Sequence, residues 1–309
     1  MDGILTQSSS PSASELRKPA ETDFPALYRS ADEESLAGQR VFVRCMRLRL
    51  GGLFVAAAGG ALTSFEGIEW LGGLVAVVAL LVALAAELYT VVARPDRIWY
   101  EGRAAAESAK TLAWRYMVRG EGFEDEDSAI DTRFTVELRG LLTDLDHVPP
   151  VDGSGGQITP LMRRERAGTF DERRAYYREF RVVDQLRWYS RKAKFNTRRL
   201  RQWTTTTVIL EVVGIFAAGL LWAQVITFDA LGLVSALAAA LTAWAQSRQY
   251  QTLSSAYSVT SQEVASVLSQ LDSLQNESVW ARFVGEAEEA FSREHTLWRA
   301  SRGIRVSGR

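Results

Sequence analysis

Residues 203–248 constrain this chain more than any other stretch. Four threonines, Thr204 to Thr207, lead into an apolar run from Val208 to Ile226 in which Glu211 is the only charge. After a break at Thr227, Phe228 and Asp229, a second apolar run extends from Ala230 to Ala245 and closes on Gln246, Ser247 and Arg248. A helix needs roughly 20 apolar residues to cross a bilayer core of about 30 Å. Two such runs joined by a few residues make an antiparallel hairpin. A soluble core of this size has no use for two uniformly apolar helices in succession. The spacing therefore predicts membrane spans over about 204–226 and 229–246.

An earlier stretch repeats the design, with spans predicted over about 48–65 and 70–92. In the first of these, Gly52, Ala56 and Gly60 recur every fourth residue, the small-xxx-small spacing that lets two helix backbones approach closely in lipid. Gly214 and Ala218 give the second hairpin a comparable small pair. Trp70 and Tyr89 suit the two membrane interfaces, where amphipathic rings collect. Beyond Val92, helical composition continues through Pro95 to Val118. The expectation is a helix that carries the second span onward with a bend at Pro95. Unbroken, it would be a rod of roughly 73 Å.

The remaining segments are polar helices and connectors. Residues 1–22 are Ser- and Pro-rich and are expected to be a disordered tail; they lack the basic start and early apolar core of a secretory signal. Residues 23–147 form a first two-span unit, 148–158 a Pro- and Gly-rich linker, 159–301 a second two-span unit, and 302–309 a basic tail. Asp131 is placed as the cap of a short helix carrying Phe134, Leu138, Leu141 and Leu145 on one face. Thr159 and Pro160 start another helix, with Thr as cap and Pro at the first helical position. From Asp171 a long helix carrying Tyr177, Phe180, Val183, Trp188 and Phe195 runs into the second hairpin. After that hairpin, Leu253, Tyr257, Thr260, Val264, Val267, Leu271 and Leu274 alternate at spacings of four and three. That is a heptad seam, and its uncharged neighbours fit a multi-helix bundle. A last helix, 279–301, has Trp280, Phe283, Val284, Ala287, Phe291 and Trp298 on one face.

Charge sets the orientation. Arg40, Arg44, Arg47 and Arg49 precede the first hairpin and Arg94, Arg97 and Arg103 follow it; the second is flanked by Arg191 to Arg201 and by Arg248. The two turns hold Glu66, Glu69 and Asp229 and no Lys or Arg. By the positive-inside rule both hairpins keep their ends in the cytoplasm. The expected fold is all-α and integral to the cytoplasmic membrane. Four transmembrane helices form two parallel-repeat hairpins, long helices extend into a cytoplasmic bundle, and both termini are cytoplasmic. A parallel repeat argues against an inverted-repeat transporter.

Composition argues against most chemistry. The 309 residues carry a formal charge of −1 and a single cysteine, Cys45, so neither a disulfide nor a cysteine-rich metal site can form within the chain. No phosphate-binding glycine loop, dinucleotide fingerprint, zinc-protease motif or nucleophile elbow occurs. His147 and His295 stand alone, and the acidic cluster Glu124 to Asp127 reads as a solvated loop. No enzyme activity, cofactor or metal is expected. Two carboxylates, Glu87 and Glu211, fall inside spans. Thr204, Thr207, Glu211, Gly214 and Ala218 share one stripe at spacings of three and four. An intramembrane acid faces protein or water. One reading makes Glu87, Thr204, Thr207 and Glu211 the polar lining of a cation path in an oligomer. The other makes the acids structural, neutral or paired with an arginine such as Arg49 or Arg248. The basic run ending in Arg191, Lys192, Lys194, Arg198, Arg199 and Arg201 abuts a span, so contact with anionic lipid headgroups is expected rather than nucleic acid.

Longer words carry a family resemblance. Trp99 to Ala104 (WYEGRA) and Ala106 to Tyr116 (AESAKTLAWRY) in the first half resemble SLATT domains, the SMODS- and SLOG-associating two-transmembrane effectors. So do Trp188 to Ala193 (WYSRKA), Glu286 to Ala290 (EAEEA) and Arg293 to Trp298 (REHTLW) in the second. The resemblance covers roughly 24–300 as two tandem copies of different subtypes. It implies a pore-forming or membrane-perturbing effector of a bacterial conflict system, working as a homo-oligomer. A nucleotide-signal or sensor protein encoded separately would trigger it. The competing expectation is a non-conducting scaffold or sensor whose cytoplasmic helices recruit a partner.

Overall fold

The structure is a computed structural model that describes residues 17–125, 128–143, 156–274 and 276–301, the last ten as backbone. Among these residues all regular structure is helical. The elements are α1 (Ala26–Leu62), α2 (Glu69–Ala93), α3 (Pro95–Met117), α4 (Ile130–Thr143), α5 (Pro160–Ala167), α6 (Phe170–Tyr177), α7 (Asp184–Trp222), α8 (Ala230–Ser247), α9 (Tyr250–Ser273) and α10 (Trp280–Ser301). A π-helical segment, Arg178–Val183, joins α6 to α7, so one helix runs from Phe170 to Trp222. The expected tail at 1–22 and linker at 148–158 lie largely outside the described residues, as do His147 and the tail at 302–309. A 3-10 turn at Glu21–Asp23 opens the described fold.

The chain divides into two compact units that each draw on both halves of the sequence. One comprises Ser35–Tyr100 and Arg191–Ser258; the other comprises the described parts of Met1–Glu34, Glu101–Ser190 and Val259–Arg309. The first holds the apolar hairpins and the second most of the polar helices.

Three helical stretches are long and apolar enough to cross a membrane: Glu69–Ala93, Phe170–Trp222 and Ala230–Ser273. Helix α1 is not among them. Its arginines at 40, 44, 47 and 49 precede an apolar part that ends at Leu62, shorter than the roughly 20 residues a span takes. The turns of the two hairpins meet, with the Phe65 and Phe228 rings 5.9 Å apart. Away from those turns the Arg47 guanidinium lies 5.6 Å from the Trp244 ring centre, so the hairpins run side by side in the same direction.

The unbroken rod past Val92 does not form. Helix α2 stops at Ala93, Arg94 turns left-handed at φ 43°, and Pro95 starts α3 as its first residue. A proline that starts a helix loses no intrahelical donor, whereas inside one it breaks the ladder. The second hairpin exits in a similar way: Gln249, at φ 50°, separates α8 from α9.

The polar unit is built on aromatic residues. Trp114, Tyr116, Phe123, Phe134, Tyr176, Tyr177, Leu271 and Trp280 are fully buried. Trp280 donates its indole N–H to the Val118 carbonyl at 2.6 Å, and Glu121 N–H bonds to the Ala281 carbonyl at 2.9 Å, which docks the end of α3 on the start of α10. Thr159 caps α5 through Met162 N–H, and Thr169 with Glu172 makes a capping box on α6. The seam of α9 buries Thr260, Val264 and Leu271.

Asp131 sits within the first turn of α4 rather than before it. It accepts Tyr116 Oη–H at 2.6 Å and the Arg163 guanidinium at 3.0 Å. Partial burial raises its carboxyl pKa, but these two partners win and the net shift is downward. A carboxyl depressed in the folded state stabilises above its unfolded pKa, near 4, and loses that contribution as pH falls through the folded value. Asp131→Asn is therefore expected to cost at most about 1 kcal/mol at neutral pH, given the exposure of the ion pair, and nothing at pH 2. Urea unfolding at both pH values checks this; an equal cost at pH 2 would remove the charge from the account.

Candidate functional site

Glu87 lies on α2 with its carboxylate paired to the Arg49 guanidinium of α1. An acid and a base at membrane depth neutralise one another, which lowers the cost of holding either there. Glu211 differs. It is exposed on α7 between the exposed Val208, Ile209, Val212 and Ile215, and no basic side chain among the described residues pairs with it.

The stripe that contains Glu211 is not one environment. Thr204 is exposed and Thr207 half-buried, and Thr207 returns its hydroxyl to the Trp203 carbonyl at 3.0 Å. That back-bond satisfies the donor within the helix. Gly214 is buried, 3.6 Å from a Val234 methyl of α8 measured from where a Cβ would stand, and Ala218 is half-buried. The upper part of the stripe thus faces away from the chain and the lower part packs on α8.

Close packing in the first hairpin falls on Gly52 and Gly59. A Cβ at Gly52 would stand 2.8 Å from the Ala79 carbonyl, and one at Gly59 2.8 Å from both the Gly72 carbonyl and Ala76 N. Ala56 is half-buried between them, while Gly60 is exposed with nothing within 4 Å, which corrects the expectation for Gly60. The contacting glycines are seven residues apart, which keeps both on the seam between two helices; a step of eight moves Gly60 off it.

Arg191, Lys192, Lys194, Arg198, Arg199 and Arg201 are all exposed on α7. The apolar windows of the three span-grade helices are only 22%, 11% and 0% buried within the chain. So much uncovered apolar surface needs lipid or another chain to cover it.

Sequence reasoning missed the most elaborate polar centre, which lies in the other unit. Arg181, 2% exposed, and Glu288, 1% exposed, form an ion pair at 2.6 Å. Arg181 Nε donates to Glu288 Oε1 at 2.9 Å, Tyr177 Oη–H donates to the same oxygen at 2.9 Å, and Thr111 Oγ1–H donates to Oε2 at 3.0 Å. The Arg181 guanidinium also lies 5.2 Å from the Phe291 ring centre. Burial opposes the charge on Arg181, yet the charge and hydrogen bonds of Glu288 outweigh it and hold its pKa above the ordinary value. Burial, and then the Glu288 charge, pushes the Tyr177 hydroxyl well up. The pair ties α3, the π-helical segment and α10 together. One signal was available: Glu288 stands four residues after Val284 and three before Phe291, on the apolar face of α10.

Among the described residues no cluster of three or more His, Cys, Asp or Glu gathers to hold a metal ion. In the polar centre both Glu288 oxygens are engaged, while Arg181 Nη1 is buried without a hydrogen-bond partner among the described residues.

Comparison with known proteins supplies the family. No curated protein and no solved structure matches the chain. Residues 25–174 match the SMODS and SLOG-associating 2TM effector domain 3, and residues 177–298 match the SMODS and SLOG-associating 2TM effector domain 1. The span-grade apolar helices agree with two-transmembrane domains, and no catalytic family accompanies them. The chain consists of two SLATT domains in tandem and belongs to that family of membrane effectors.

Proposed function

We propose that this protein is an oligomeric pore-forming or membrane-perturbing effector of a bacterial conflict system, gated through its cytoplasmic helices. It crosses the cytoplasmic membrane four times as two parallel hairpins with both termini inside. Helix α1 serves as the fourth span, its Arg49 neutralised by Glu87. The trigger is a nucleotide-signal or sensor protein encoded separately, and neither cofactor nor nucleic acid is involved.

The observation that carries this reading is Glu211. It is a carboxylate with no basic partner among the described residues, amid exposed valine and isoleucine on a helix apolar enough to span. A lone carboxylate facing lipid costs about 2.5–3.5 kcal/mol even on the most lenient scale. In an oligomer the same carboxylate faces water or other copies, and a ring of them attracts cations. Full-length protein in liposomes loaded with a potassium-sensitive dye is expected to leak well above protein-free vesicles. Glu211→Gln should change the rate or cation preference at least severalfold with insertion intact, and Glu211→Leu should do so more strongly. An absence of leak from inserted wild-type oligomers would return the chain to a non-conducting scaffold.

A further inference from the structure

We infer that Arg47, Trp244 and Arg248 form a binding site for the phosphate of an anionic phospholipid, placed where the two hairpins meet. This rests on the membrane-spanning reading of α8. The Arg47 guanidinium of α1 lies 5.6 Å from the Trp244 ring centre, and the Arg248 guanidinium, just past the end of α8, lies 5.8 Å from the same centre. Two guanidiniums are thus held on one indole, separated by no more than the sum of those distances. Neither has a carboxylate partner among the described residues. Two long, flexible arginines anchored on one ring can turn their forks to a common anion, and a phosphate accepts from two guanidinium forks at once. Each cation also gains from the indole face, which fixes its position before a ligand arrives.

The depth selects the source of the phosphate. Trp244 lies three residues before the end of α8, and Arg47 stands one turn before the apolar part of α1, with Arg49 between. The opposite end of both hairpins is marked by the Phe65–Phe228 contact and carries Glu66, Glu69 and Asp229. A tryptophan one turn inside the end of a span sits at headgroup level, and basic pockets between spans at that level hold acidic lipid headgroups. Acyl chains of the same lipid have the exposed apolar surface of the hairpins to lie against. This differs from the diffuse attraction expected of Arg198 and Arg199, which are exposed and of which Arg199 lies over a ring of its own, Phe195 at 5.4 Å, so the two share no platform.

The test uses the full chain, delipidated in neutral detergent and returned to phosphatidylcholine nanodiscs with or without phosphatidylglycerol. Native mass spectrometry counts the phosphatidylglycerol retained per chain. The wild type is expected to retain one tightly held molecule. Arg47→Gln or Arg248→Gln should lower retention about fivefold each, and the double variant about twenty-five-fold. Arg198→Gln with Arg199→Gln removes the same charge and should leave the tight molecule in place. Equal retention by wild type and the Arg47/Arg248 double variant overturns the site. So does displacement by millimolar inorganic phosphate, which would identify a free-anion site instead. Alkaline carbonate extraction separates the premises: a chain released from the membrane refutes the spanning reading itself, whereas a retained chain without the tight lipid refutes only the site.

Discussion

Replacing Glu288 with Ala is expected to destabilise the polar unit by about 3–5 kcal/mol, because it leaves the Arg181 guanidinium buried with no counter-charge. The substitution also strips three side chains, Arg181, Tyr177 and Thr111, of a shared acceptor. An ordinary domain has only about 5–15 kcal/mol in total, so the loss takes a large share. Arg181→Met should cost a similar amount by stranding the carboxylate. The double variant, Arg181→Met with Glu288→Leu, removes both charges and keeps most of the volume. Buried ion pairs replaced in this way often return to wild-type stability or exceed it. The signature is therefore non-additivity: two severe single variants and a mild double one. Fluorescence of Trp114 and Trp280, both 1% exposed in the same unit, reports the unfolding. Additive losses in the double-variant cycle would show that the pair is not the unit of stabilisation.

The contrast between that buried pair and the hairpins shows what a sequence exposes to reading. Apolar runs bounded by arginines announce spans because membrane insertion is decided by local composition. The cap at Thr159 and the seam of α9 were legible for a similar reason: each depends on residues within a few turns of one another. The face of the helix from Phe170 was not. Trp188 is only half-buried and Phe195 is exposed, while Arg173 and Arg181 are buried. An arginine is buried only when a distant part of the chain supplies an acceptor, and Glu288 is 107 residues away. The π-helical segment adds to the difficulty, since its wider turn shifts every later residue relative to an ideal 3.6-residue count. The break at Arg94 was missed because composition is helical on both sides of Pro95. Proline at the first position of a new helix and proline at a bend in an old one look alike in sequence. Glu87 and Glu211 received the same two readings from sequence; Arg49, named there as a possible partner, pairs with Glu87, whereas Glu211 has no basic partner among the described residues.

Glycine substitutions on the seam between α1 and α2 should have the second large effect, and their order is set by fractions of an ångström. A Cβ at Gly72 would come within 2.6 Å of the Gly59 carbonyl and 2.9 Å of Thr63 N; one at Gly59 would meet two α2 backbone atoms at 2.8 Å. These are backbone atoms, which cannot rotate aside as a side chain can, so the helices must separate. Separation forfeits dispersion contacts along the whole seam, and in lipid those contacts are the main force joining helices. Gly72→Ala and Gly59→Ala should each cost about 1–3 kcal/mol, and Gly59→Leu more. Gly60→Leu, one residue away with open space around it, should lie within about 0.5 kcal/mol of wild type. Cysteine cross-linking between α1 and α2, made in a Cys45→Ser background, reads hairpin closure directly. The expected ranking is Gly60→Leu equal to wild type, Gly59→Ala reduced and Gly59→Leu lost. If Gly60→Leu instead disrupts the hairpin while Gly59→Ala does not, the seam follows the four-residue spacing of Gly52, Ala56 and Gly60, and the register described for α1 is wrong.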